Sequence, residues 1–108
     1  MGPGLLESSY EGALAAELAQ RGLTVSRQAK IEAHYRGVSL GVSYRADLVV
    51  EGCVLVEVKS VKNIAKVHKQ QLLTYLRHSG LRLGLLLNFG RPRMREGIIR
   101  IANNLPED

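Results

Sequence analysis

Three residues near the middle of the chain could do chemistry together: Asp47, and the pair Glu57 and Lys59 that flanks Val58. Side chains two apart on an extended strand point to the same face, so Glu57 and Lys59 emerge side by side while Val56 and Val58 face the opposite layer. Two carboxylates on one sheet face suit a hard cation such as Mg²⁺ or Mn²⁺, which takes oxygen ligands, retained waters and a substrate phosphate. Such a cation polarises a scissile phosphate and acidifies a bound water. Lys59 could then orient or deprotonate that water, or neutralise developing charge. Glu57-x-Lys59 taken alone also reads as an ordinary surface ion pair on a strand, and that reading stands until the surroundings are weighed.

Asp47 has to reach this face from the preceding strand, so register decides the matter. A strict two-residue turn at Glu51-Gly52 would pair Val50 with Cys53 and place Asp47 opposite Val56, on the wrong face. A three-residue loop or a bulge near Gly52 would return Asp47 to the Glu57 face, and such an irregularity is expected.

The flanking segments supply the elements. Glu7, Tyr10, Glu11, Leu14, Glu17 and Leu18 recur at helical spacing, which predicts a helix over Leu5 to Gln20 with Gly22 near its C-cap. Val25 to Tyr35 and Val38 to Val50 are rich in β-branched and aromatic residues and flank Arg36-Gly37, which predicts a hairpin. A third strand is expected over Cys53 to Lys59. A second helix should run from Asn63, as N-cap, to His78, with Gly80 as its stop. Leu81 to Phe89 is almost continuously apolar, as for a strand covered on both faces. A last short strand is expected over Gly97 to Ala102. The order is helix, three-strand meander, helix, buried strand, and the intervening helix makes the fourth strand parallel to a neighbour.

The second helix brings further polar residues into view. Gln71 and Tyr75 lie at i and i+4, on one face, with His68 a turn earlier. Here the sequence resembles the GxxExxY proteins of the PD-(D/E)XK nuclease superfamily. Gly4, Glu7 and Tyr10 match the G-x-x-E-x-x-Y signature, Tyr44 to Val50 the Y-R-A-D-L-V-V segment, and Glu57 to Lys59 the E-V-K. His68 to Leu76 match H-x-x-Q-L-L-T-Y-L, and Leu83 to Gly90 match L-G-L-L-L-N-F-G. Any one of these is weak evidence; five in this order, over nearly the whole chain, are strong. Gln71-x-x-x-Tyr75 after the E-x-K strand is also similar to the RecB-like branch.

The resemblance implies an α/β, restriction-endonuclease-like αβββαβ core, with a central mixed sheet flanked by helices. It implies that Asp47 and Glu57 bind metal, with the Val58 carbonyl as a further ligand, and that Lys59 is the catalytic lysine. Glu7 would support a metal or its water, Gln71 would position Lys59 or water, and Tyr75 would touch the nucleic-acid backbone. Members of the family usually carry a further helix before the G-P-G-L-L-E segment, whereas this chain begins at Met1-Gly2-Pro3. An apolar patch against the first helix or the sheet, and hence a homodimer, is the corresponding expectation.

Other residues carry less. Arg45, two before Asp47, is a candidate phosphate contact on the expectation that it shares the Asp47 face. His68 is divided between packing or capping and a phosphate contact. Arg91, Arg93, Arg95 and Arg100 could grip phosphates or form a solvated edge. His34 and His78 lack metal-ligand spacing, Cys53 has no His or Asp partner, and Tyr10 is better placed for the core.

The bulk properties set the frame. The chain has 108 residues, 45% hydrophobic and 23% charged, with a net charge of +5. That is the size of one modest domain, and the charge suits a polyanion such as nucleic acid. No run approaches the roughly 20 apolar residues of a membrane span, so no membrane role is expected. A single cysteine fits a reducing cytoplasm. These readings converge on a Mg²⁺- or Mn²⁺-dependent nuclease acting on nucleic acid, DNA before RNA. The alternative is a catalytically silent nucleic-acid-binding or protein-interaction module on the same fold.

Overall fold

A computed structural model describes residues 3–103. What precedes the first helix, on which the missing-helix expectation turns, lies outside them. The helix α1 spans Pro3–Gln20, followed by strands β1 (Val25–Tyr35), β2 (Val38–Val50) and β3 (Val54–Lys59). Then come helix α2 (Lys66–Ser79) and strand β4 (Leu83–Asn88), and a short 3-10 turn at Met94–Glu96 leads into β5 (Ile98–Ala102). The strands lie in sheet order β1-β2-β3-β4-β5, with β3 and β4 parallel across the α2 crossover and every other pair antiparallel. The αβββαβ core and the mixed sheet expected from the sequence are therefore present. Among the described residues no helix is long and apolar enough to cross a membrane.

The helices cover opposite faces of the sheet. On one side Tyr10, Leu14 and Ala15 of α1 pack against Leu48, Val56, Val58, Leu85 and Leu87. On the other, Leu72 and Leu76 of α2 pack against Ala46, Leu55 and Leu86. Strand β4 contributes to both layers and exposes no residue, which is why it reads as an unbroken apolar run. Gly84 lets α2 come close: a Cβ there would lie 3.0 Å from the Leu72 side chain.

Local chemistry explains the turns. Arg36 and Gly37 both have positive φ, the backbone a tight two-residue hairpin turn requires. Helix α2 begins later than expected, with Ala65 rather than Asn63 at its N-cap. The Asn63 side chain is engaged elsewhere, accepting from the Arg91 guanidinium at 3.2 Å, and His68 Nδ1 accepts the free Ala65 N–H instead, at 3.1 Å. Gly80, with φ 77°, ends the helix as expected.

Exposed apolar side chains lie on the sheet, one of the two places named from the sequence. Tyr35, Val38, Leu40 and Val42, on the outer part of the β1–β2 hairpin, are 45–64% exposed.

Candidate active site

The β2–β3 turn occupies three residues, Glu51 to Cys53, and the register pairs Val50 with Val54, Val49 with Leu55 and Leu48 with Val56. Extended by one step, that register sets Asp47 across from Glu57. The irregular turn the sequence demanded is present, built on positive φ at Glu51 and Gly52.

Backbone pairing between β2 and β3 stops at Leu48 and Val56, and the two carboxylates take over from it. Asp47 Oδ2 accepts the Val58 N–H at 2.8 Å, and Glu57 Oε2 accepts the Asp47 N–H at 3.1 Å. Each acid is thus pinned through one oxygen by the other strand's backbone, leaving its second oxygen for another partner. Burial first, and the facing Asp47 charge second, push the Glu57 carboxyl up to about 8, against a weaker opposing pull from Lys59. Lys59 therefore shares the cleft with Glu57, as its strand parity requires.

Two layers of contacts fix the far end of β3. Glu7 Oε2 accepts the Ser60 N–H at 2.8 Å, and the Tyr10 ring stacks on Phe89 with centroids 4.4 Å apart. The buried Asn88 side chain grips Val61 from both sides, accepting its N–H at 2.9 Å and donating to its carbonyl at 2.8 Å. Phe89 N–H donates to the Lys59 carbonyl at 2.8 Å. Glu7 and Tyr10 thus hold the strand end that carries Lys59.

From α2, Gln71 Nε2 donates to the Tyr75 hydroxyl at 2.7 Å, so its amide is engaged with Tyr75 rather than with Lys59. Tyr75 stacks on Tyr44 with centroids 3.7 Å apart, and the Tyr44 hydroxyl donates to the Tyr75 carbonyl. Burial, then the Glu57 charge, raise the Tyr75 phenol, and burial raises that of Tyr44 to about 12. Both phenols therefore stay protonated, as donors beside the acids.

Of the two roles the sequence left open for His68, the structure shows the capping one, at the start of α2. Arg45 falls elsewhere. Ala46 packs with the α2 layer and Leu48 with the α1 layer, so β2 changes face between them. Asp47 stands with Glu57 on the α2 side, while Arg45, between Tyr44 and Ala46, turns to the other side and is exposed. The equal spacing that put Arg45 beside Asp47 fails because the alternation is broken there. Arg91 is tied to the Lys62 carbonyl and to Asn63.

Two residues that the sequence reading passed over belong to the site. Gln28 Nε2 lies 2.7 Å from Glu11 Oε1 and 3.4 Å from Asp47 Oδ1. Glu11 is buried and paired with Arg27, Oε2 to Nη2, at 3.0 Å. The available cue was Glu11 itself, an acid inside the apolar stripe one turn after Glu7.

The donor set fits a divalent cation: oxygens only, on two facing carboxylates, one of them raised by burial and by the charge of the other. Among the described residues no third His, Cys, Asp or Glu joins the two acids, so further ligands would be backbone oxygen, water or substrate.

A sequence model of the PD-(D/E)XK nuclease superfamily matches residues 1–101. No curated protein matches in sequence. Among solved structures, SSO0001 superposes with a TM-score of 0.67 at 20% identity, over 97% of this chain and 52% of that one. An alkaline exonuclease, LHK-Exo from Laribacter hongkongensis, superposes with a TM-score of 0.64 at 14% identity, over 96% and 60%. LHK-Exo in complex with dAMP gives 0.58 at 15%, over 86% and 53%. The chain thus spans between half and three-fifths of the length of these structures, and at such identities the likeness is one of fold.

Proposed function

Since this chain belongs to the PD-(D/E)XK nuclease superfamily, we propose that it is a metal-dependent nuclease hydrolysing phosphodiester bonds of DNA, of the GxxExxY group with its RecB-like Gln71-x-x-x-Tyr75. The observation that carries this reading is the facing pair Asp47 and Glu57 at the point where β2 and β3 part, with Lys59 in the same cleft. A surface ion pair between Glu57 and Lys59 does not account for it, because the dominant partner of Glu57 is another acid.

Asp47 and Glu57 would hold Mg²⁺ or Mn²⁺, with the Val58 carbonyl as a further ligand. The cation, when bound, supplies Lewis acidity toward a phosphate oxygen and lowers the pKa of a water. The chain's own residues do the rest. Lys59 orients the attacking water, takes its proton, or offsets the charge growing on the phosphate. Glu7 and Asn88 act at a distance, by fixing the strand end from which Lys59 projects. Tyr75, with Gln71 on its hydroxyl, presents a protonated phenol toward the nucleic-acid backbone. A reducing cytoplasmic setting suits the free, exposed Cys53. The exposed apolar side chains of the outer hairpin support a homodimer.

The test is incubation with supercoiled, linear and single-stranded DNA and with RNA, in Mg²⁺, Mn²⁺ or chelator. LHK-Exo, which shares the fold, is an alkaline exonuclease, and this makes linear ends the first substrate to try. Cleavage of DNA that chelator abolishes is the expected result. A folded protein that binds Mn²⁺ and cuts none of the four is the silent binding module instead.

A further inference from the structure

We propose that Gln28 is a positioning residue for Asp47, acting from a kinked backbone through a neutral amide bridge that holds Asp47 toward Glu57. The inference rests on the nuclease reading for its functional meaning.

The first observation is conformational. Gln28 lies inside β1, yet its φ is 49°. A non-glycine residue adopts that backbone at a cost, and keeps it only where the surroundings impose it. The kink falls at one particular place: the register pairs Arg27 with Leu48 and Ala29 with Ala46, and skips Gln28 and Asp47 between them.

The second is topological. Val25, Leu48 and Val50 pack in the α1 layer, while Ile31, Tyr44 and Ala46 pack in the α2 layer. Both strands therefore change face at the Gln28–Asp47 position. Asp47 keeps the face that its register with Glu57 gives it, in step with Leu48 and Val49, so the break falls on its Ala46 side. At that break the kinked Gln28 stands beside Asp47.

The third is chemical. The Gln28 amide stands between two carboxylates, Glu11 at 2.7 Å and Asp47 at 3.4 Å, so its NH₂ end must face both. Glu11 is an anchored partner, because Arg27 holds its other oxygen through Nε at 3.1 Å and Nη2 at 3.0 Å. A lysine or arginine at position 28 could grip the same two acids, but would place a permanent positive charge against Asp47. An amide orients Asp47 and leaves its negative charge for a cation.

Three variants test this: Q28G, Q28A and Q28K. Each is measured for thermal stability, for Mn²⁺ affinity by electron paramagnetic resonance, and for cleavage. Q28G and Q28A both lose the amide, but only Q28A keeps a side chain on the left-handed backbone. Q28G is therefore expected to melt above Q28A, while both bind Mn²⁺ about tenfold more weakly and cleave more slowly at fixed metal concentration. Q28K should remain folded and bind Mn²⁺ more weakly still. A purely structural role would make Mn²⁺ affinity follow melting temperature across the three, and that outcome overturns the proposal. So does wild-type Mn²⁺ affinity in Q28G. If the wild type cuts nothing while Mn²⁺ affinity falls in this pattern, the nuclease reading fails and the positioning role of Gln28 stands.

Discussion

Replacing Glu57 by glutamine should make the protein more stable at alkaline pH, and the gain should vanish in acid. The carboxyl moves from its ordinary 4.5 up to about 8 on folding, through burial and then the Asp47 charge. A carboxyl raised in the folded state holds its proton more tightly there than in the unfolded chain. The stability this confers is fully present below pH 4.5 and is lost as pH rises to about 8. Each pKa unit corresponds to about 1.4 kcal/mol, so between pH 5 and pH 8 the wild type should lose on the order of 3 kcal/mol through this group. The E57Q amide carries no proton to lose and can still accept the Asp47 N–H, so it escapes the loss. In a domain of this size about 3 kcal/mol amounts to a melting difference of roughly 10–20 °C. The assay is thermal or urea unfolding of both proteins in chelator, at intervals from pH 5 to pH 8. The curves should start close together and diverge. Because two facing acids share their protons, the transition belongs to the pair, and D47N should move it to lower pH. Wild-type and E57Q stabilities that run parallel across the range would refute the facing, part-buried acid pair.

The remaining predictions concern the same cleft and its supports. Mg²⁺ or Mn²⁺ should raise the wild-type melting temperature more at pH 8 than at pH 5.5, since cation and proton compete for Glu57, and D47N should abolish the effect; calorimetric scans at the two pH values check this. K59A should leave stability within about 0.5 kcal/mol, because Lys59 is only half-buried and lies at a polar site. Its cleavage should fall about 10²-fold or more, the scale of a lost proton-transfer or charge-stabilising group; cleavage at the wild-type rate would remove Lys59 from the mechanism. G90A should destabilise by about 1–3 kcal/mol through overpacking. Its Cβ would stand 2.3 Å from the Val61 carbonyl oxygen, and forcing apart the grip of Asn88 on Val61 should slow cleavage as well, seen by comparing melts and rates.

What the sequence made legible is what local pattern controls. The parity of Glu57 and Lys59 follows from one strand's alternation, and the three-residue turn followed from requiring Asp47 to join them. The apolar run of β4 announced burial on both faces, and Gly80 announced the end of α2. Asn63 misled because a good capping residue is also a good acceptor, and Arg91, twenty-eight positions away in the chain, took it. Nothing within α2 records that competition.

Gln28 marks the deeper limit. Strand reading assumes that alternation continues, and on that assumption Arg45 shares a face with Asp47. A left-handed residue in mid-strand breaks the rule, and glutamine gives no local warning of it, as glycine or asparagine would. The backbone there is set by partners in three other places: Glu11 on α1, Asp47 on β2, and the strand pairing on either side. Such a conformation is invisible to any window of sequence because no window contains its cause. The same position explains why it sits at the site. The β2–β3 ladder ends at Leu48 and Val56, and beyond it the N–H groups of Asp47 and Val58 hold the two carboxylates. The irregular backbone at Gln28 brings a third element to the same point, because its amide ties Asp47 to Glu11 of α1, so the irregularity that defeats sequence reading is also what links α1 to the acid pair.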